Sequence, residues 1–121
     1  MSKIWLPLLV SLVCMLAPAH GYALSGEEQI TMLIESVRDA PAGTHFIRNG
    51  TAYDVAEAVS HLNFKYSRAK SRVKTAEDFI KYVASKSSVS GEEYLIRYPD
   101  GKTVTAAAFF TEKLRVMREE R

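Results

Sequence analysis

The sequence predicts an α+β domain, about four helices packed on a small antiparallel sheet of two or three strands. Three observations predict it. Apolar residues recur at helical spacing in four separate segments, and two short β-favouring runs around Phe46 and Leu95 stand between them. The resulting order, helix, strand, helix, helix, strand, helix, suits helices covering an antiparallel sheet and lacks the regular β–α alternation of a parallel one.

The first helix opens at Ser25, whose partner three residues on is Glu28, the spacing of a capping box. Ile30, Leu33, Ile34 and Val37 then share one face, and Pro41 with Gly43 ends the segment. Residues 44–48 read as the first strand, followed by Asn49 and Gly50, which tolerate the positive φ of a turn. Thr51 and Asp54 are expected to cap the second helix. Its apolar positions Val55, Val59, Leu62, Tyr66, Ala69 and Val73 alternate four and three apart, a seam of nearly five turns.

Thr75 with Asp78 repeats the capping pattern, so a third helix begins there with Phe79, Ile80, Val83 and Ala84 as its buried face. SKSSVSG, residues 85–91, is a loop by composition. A second strand follows around Leu95, with Tyr94, Ile96 and Tyr98 on its other side; a Pro-Asp-Gly turn leads to a short extension at 102–104. Thr103 or Thr105 caps the last helix, whose apolar side is Ala106, Phe109, Phe110, Leu114 and Met117, and the terminal RVMREER is expected to fray in solvent.

Ahead of these elements stands Lys3, then the apolar run IWLPLLVSLVCML, then small residues. That is the pattern of a cleaved secretory signal peptide, with cleavage expected after Ala23 or, alternatively, after Ala19. The run is interrupted by Pro7 and is shorter than the roughly 20 apolar residues a membrane span needs. Val13 before Cys14 does not suit lipidation. Residues 24–121 are expected as one periplasmic or secreted domain without a transmembrane segment. Removing the signal discards Cys14 and Lys3, so no disulfide is available and the near balance of 16 basic and 14 acidic residues is kept.

Chemistry has few places to sit. Only His45 and His61 follow the signal, with no paired-ligand spacing, so neither a metal nor another cofactor is expected. The serines lack a GxSxG elbow or SxxK, and no phosphate-cradling glycine loop occurs. Glu57, His61, Lys65, Arg68 and Arg72 form a stripe on the shoulder of the apolar seam. Glu57 there could orient His61 as a general base, the stripe could grip an anion, or it could be a solvated flank with local ion pairs. No acid interrupts the chain from Glu57 to Glu77 while five basic residues accumulate, a density suited to phosphate or carboxylate groups. Nucleic acid is not expected of an exported chain without a binding module.

Three blocks, FIRNG, EAVSHLNFK and TAEDFIKYVASKSSVSGEEYLI, make the chain similar to the YfeK-like family of small exported bacterial proteins, a domain of unknown function. The resemblance implies a bacterial periplasmic or secreted protein and brings no established activity, cofactor or catalytic residue. It also suggests a grouping. If the two main strands pair antiparallel, Arg48 and Asn49 come beside the serine loop with Ser88 and Ser90, while His61 lies about 12 to 15 Å along the second helix from Thr51.

The leading expectation is a non-enzymatic exported module for an anionic envelope component or a partner protein, with Arg48, Asn49, His61, Lys65, Arg68, Arg72, Ser88 and Ser90 as binding residues. The first alternative is a small hydrolase or lyase with His61 as base and Glu57 as its orienter. The second gives these residues a purely structural role around the turn.

Overall fold

The computed structural model describes residues 23–120. The signal peptide expected over residues 1–23, with Cys14, lies outside them save for Ala23. Within them the chain is α+β, four helices and a four-stranded antiparallel sheet. No helix among the described residues is long and apolar enough to cross a membrane.

Helix α1 spans Gly26–Ser36, and Ser25 and Glu28 close its capping box as the spacing predicts. It tightens into a 3₁₀ turn at Val37–Asp39, and strand β1 runs His45–Arg48. Thr51 is not part of a helix cap: Thr51–Tyr53 is strand β2, paired with β1 through Phe46↔Tyr53 and Arg48↔Thr51. Asn49 and Gly50 both take positive φ, 51° and 79°, the conformation that turns a two-residue hairpin with the twist of its strands. Asp54 alone caps helix α2, Val55–Ala69, and Glu57 completes the box by accepting from the Asp54 N–H at 3.0 Å.

The second helix thus ends at Ala69, one turn before the apolar seam does, although Val73 remains buried. Thr75 and Asp78 cap helix α3, Ala76–Phe79, which widens into a π-helical segment at Ile80–Ala84. The wider turn keeps Phe79, Val83 and Ala84 all buried and leaves Tyr82 outside. Strands β3, Leu95–Arg97, and β4, Thr103–Thr105, follow, and Thr105 caps helix α4, Ala106–Glu119. The expected fraying is not seen before Glu119. Leu114 is buried and Met117 packs on the core, and Arg118 reaches Glu77 on α3 at 2.6 Å.

The strand order is β2-β1-β3-β4. Two or three strands were expected and four are present: the extension read at 102–104 is β4, and the unforeseen strand is β2, whose three residues between a turn and a helix cap leave no periodicity to read. Phe46, Ile96 and Val104 stand in register on the face that meets the helices. There they join one core with Ile30, Leu62, Phe79 and Phe110, crossed by edge-to-face contacts from Tyr66 to Phe79 and from Phe79 to Phe110. Every residue of that core lies between Ile30 and Met117.

Gly26 marks the tightest joint. A Cβ built on it would stand 2.0 Å from the Lys74 carbonyl oxygen, a backbone atom, so the start of α1 sits directly on the segment leading into α3. Gly26→Ala is therefore expected to lower stability by about 1–3 kcal/mol or more, the usual cost of overpacking. Urea unfolding monitored by circular dichroism measures it, and an unchanged midpoint would contradict the contact.

Candidate functional site: a cationic cleft over Tyr94

Continuing the β1–β3 register beyond Ile47↔Leu95 places Tyr94 opposite Arg48, on the same inner face as Phe46 and Ile96. Tyr94 is 1% exposed and its ring packs on Phe46 at 5.2 Å between centroids. A phenol this deep needs partners for its hydroxyl. Helix α2 supplies them from successive turns. Lys65 Nζ donates to the hydroxyl at 2.9 Å, and His61 Nε2 lies 3.3 Å from it.

Lys65 as an ammonium only donates, so Tyr94 accepts that bond, and the bond between its hydroxyl and His61 Nε2 runs in the direction set by the imidazole tautomer. The imidazole itself is held neutral: burial first, then the charges of Arg48 and Lys65, hold the His61 pKa at about 4 against the ordinary 6.5. Burial and the charge of Arg48 likewise bring Lys65 down to about 8, and burial raises Tyr94.

Lys65 is also fixed by the Lys86 carbonyl at 3.0 Å and stands over the Tyr94 ring at 4.8 Å. Arg48, at the end of β1, lies 4.9 Å over the Tyr53 ring and donates to its hydroxyl at 3.1 Å. Neither cation meets a carboxylate. Among the described residues the ion pairs use Arg38, Lys70, Arg115 and Arg118, and leave Arg48, Lys65, Arg68 and Arg72 without an acidic partner.

These side chains wall a cleft of about 610 Å³ between α2, the π-helical segment and the serine loop. Arg48, His61, Lys65, Arg68 and Arg72 all contribute, with Ser87 and Ser88, and no acidic side chain lines it. A second hollow of about 560 Å³ shares Arg48, His61 and Phe64 with it and continues toward Tyr53 and Glu57. Among the described residues no group of three His, Cys, Asp or Glu side chains converges to hold a metal ion.

The structure sorts the residues singled out from sequence. Arg48, His61, Lys65, Arg68, Arg72 and Ser88 meet at the cleft. Asn49 and Ser90 do not line it; they lock the hairpin to the serine loop. Asn49 Nδ2 donates to Ser87 Oγ at 3.2 Å and its Oδ1 accepts from Ser90 Oγ, while Ser87 Oγ also receives the N–H groups of Val89 and Ser90. Glu57 is not the orienter of His61. Its carboxylate is engaged at the α2 cap, and the side-chain partner of His61 is Tyr94. Phe64, on the same helix, is 59% exposed beneath Arg68.

Sequence reasoning missed Tyr94, Tyr82 and Val89 as parts of the site. Tyr82 had a legible signal, an aromatic left over when the buried positions of its helix are assigned. Tyr94 had none, since its partners lie 33 and 29 residues away.

A family model described as a family of unknown function, DUF5329, matches residues 25–118. The chain is also similar to the uncharacterized protein YfeK of Salmonella typhimurium strain LT2, 51% identical over 49 residues, which cover 40% of this chain and 41% of that protein. The matched part therefore spans less than half of that relative's length. No solved structure matches the chain.

Two expectations follow from the geometry. Asn49→Gly keeps the turn conformation and removes both side-chain bonds, so stability should fall by about 1–2 kcal/mol and the Val89 and Ser90 amides should exchange faster with deuterium; unchanged exchange would remove the lock. His61 should titrate near 4 by NMR. The unfolded chain takes up that proton near 6.5 and the folded chain only near 4, so stability should decline as pH falls through this window and be fully present above it. His61→Gln should flatten that slope in pH-dependent unfolding.

Proposed function

The chain belongs to the DUF5329 family of unknown function, and since that membership assigns no reaction, we propose from the cleft itself that the protein is an exported module binding an anionic component of the cell envelope. The observation that carries this reading is the crowding of Arg48, Lys65, Arg68 and Arg72 around one cleft with no carboxylate among its walls. Like charges held together raise the free energy of the unliganded protein, and the depressed pKa values of His61 and Lys65 report that repulsion together with their burial. An anion with phosphate or carboxylate groups relieves it. Arg48 offers a guanidinium fork, Lys65 a compact ammonium, and Ser88 an exposed hydroxyl.

Export is part of the proposal and rests on the apolar N-terminal run followed by small residues. Binding is favoured over turnover because the one imidazole at the cleft has Nε2 occupied by Tyr94 and its nearest helical carboxylate, Glu57, is committed to a cap.

Inorganic phosphate tests the reading. At low salt its addition should raise the His61 pKa above 4, since a bound anion offsets the charges of Arg48 and Lys65, and should raise the melting temperature by mass action. Arg48→Gln should weaken the effect about tenfold, the loss of one charge-assisted hydrogen bond. The same substitution should raise the Lys65 pKa in the free protein, because Arg48 is one cause of its depression. If neither phosphate nor heparin moves the His61 resonances, the cleft is not an anion site.

A further inference from the structure

The mouth of the cleft differs in chemistry from its floor. The floor is polar, with the Tyr94 hydroxyl, His61 and Lys65. The rim carries Phe64 from α2, Tyr82 from the π-helical segment and Val89 from the tip of the serine loop, exposed to 59%, 52% and 92%. Single exposed apolar side chains are ordinary on a protein surface. Here three of the large ones converge from three elements on one opening, and two of them carry a cation: Arg68 lies 5.5 Å from the Phe64 ring and Lys81 5.1 Å from the Tyr82 ring.

We infer that this face docks on an anionic lipid bilayer, with a phospholipid headgroup phosphate entering the cationic cleft and Phe64, Tyr82 and Val89 seated among the outermost acyl carbons. The inference rests on the anion-binding reading above and names the source of the anion. The order of the chemistry selects a bilayer over a soluble amphiphile. A free amphiphile bound headgroup-first would leave its apolar tail at the mouth, in water, whereas a lipid drawn partly from a membrane keeps its tail in the bilayer and meets apolar rim residues there. Aromatic rings beside cations suit the membrane boundary, where the ring occupies the interface and the cation meets phosphate. An apolar tip such as Val89 adds burial to an attraction that charge alone leaves dependent on salt.

The test uses the chain from Leu24 onward, which contains the entire core, and vesicles of phosphatidylcholine alone or mixed in equal parts with phosphatidylglycerol. Co-sedimentation should occur with the mixed vesicles, weaken in high salt, and be weak with phosphatidylcholine alone. Val89→Asp and Phe64→Ser, both at exposed positions, should each reduce the partition coefficient about tenfold. Arg68→Gln should reduce it about fivefold. Met32→Asp, at an exposed apolar position away from the cleft, should leave it unchanged.

Equal binding to the neutral vesicles would overturn the inference, as would partitioning indifferent to Val89→Asp and Phe64→Ser. Phosphate-induced shifts at His61 without binding to either vesicle would overturn the membrane inference alone and leave a soluble anion as the ligand. The absence of both responses would end the two readings together.

Discussion

The hydroxyl of Tyr94 is the constraint around which the cleft is organised. Strand pairing carries the ring into the interior, where a phenol without partners would cost several kcal/mol of lost hydration. Its two partners come from α2, so the inner-face register of the sheet and the rotational setting of that helix must agree. One result is that Lys65 is drawn inward beside Arg48. A cation that would otherwise spread into solvent is held in place by the need to satisfy a buried oxygen.

The distribution of the acids completes the picture. Glu28, Glu57 and Asp78 each close a capping box, where a carboxylate satisfies otherwise free N–H groups and meets the positive end of the helix. Glu77 on α3 and Glu112 and Glu119 on α4 pair with Arg118 and Arg115, none of which lines the cleft. The formal charge of the chain is only +2, yet none of its acids lines the cleft, which is left positive. Bulk charge therefore says little about this surface.

Much of this was legible in the chain, and the limits have physical causes. Local signals read well: Ser25 with Glu28, Thr75 with Asp78, and the seam through Leu62 and Tyr66. Even the approach of the serine loop to Asn49 follows once two strands pair antiparallel. Thr51–Tyr53 was hidden because a three-residue strand between a turn and a cap has no room for periodicity. Glu57 misled for a sharper reason. The position four residues before His61 is also the third residue of α2, and the nearby free N–H group of Asp54 takes the carboxylate. Tyr94 lay beyond local reading altogether, because sequence spacing carries no information about which helix crosses above a strand.

The serine loop has one more property with weight for recognition. Ser87 Oγ lies within hydrogen-bonding distance of three N–H donors, from Asn49, Val89 and Ser90, which share its two lone pairs, and Ser90 Oγ in turn accepts from the Glu92 N–H. A loop built largely of small polar residues would ordinarily sample many shapes and lose that freedom on contact. Here the freedom is already spent in folding, so the segment presenting Val89 would meet any partner surface with its shape set. Association then forfeits less conformational entropy than the composition of SKSSVSG suggests.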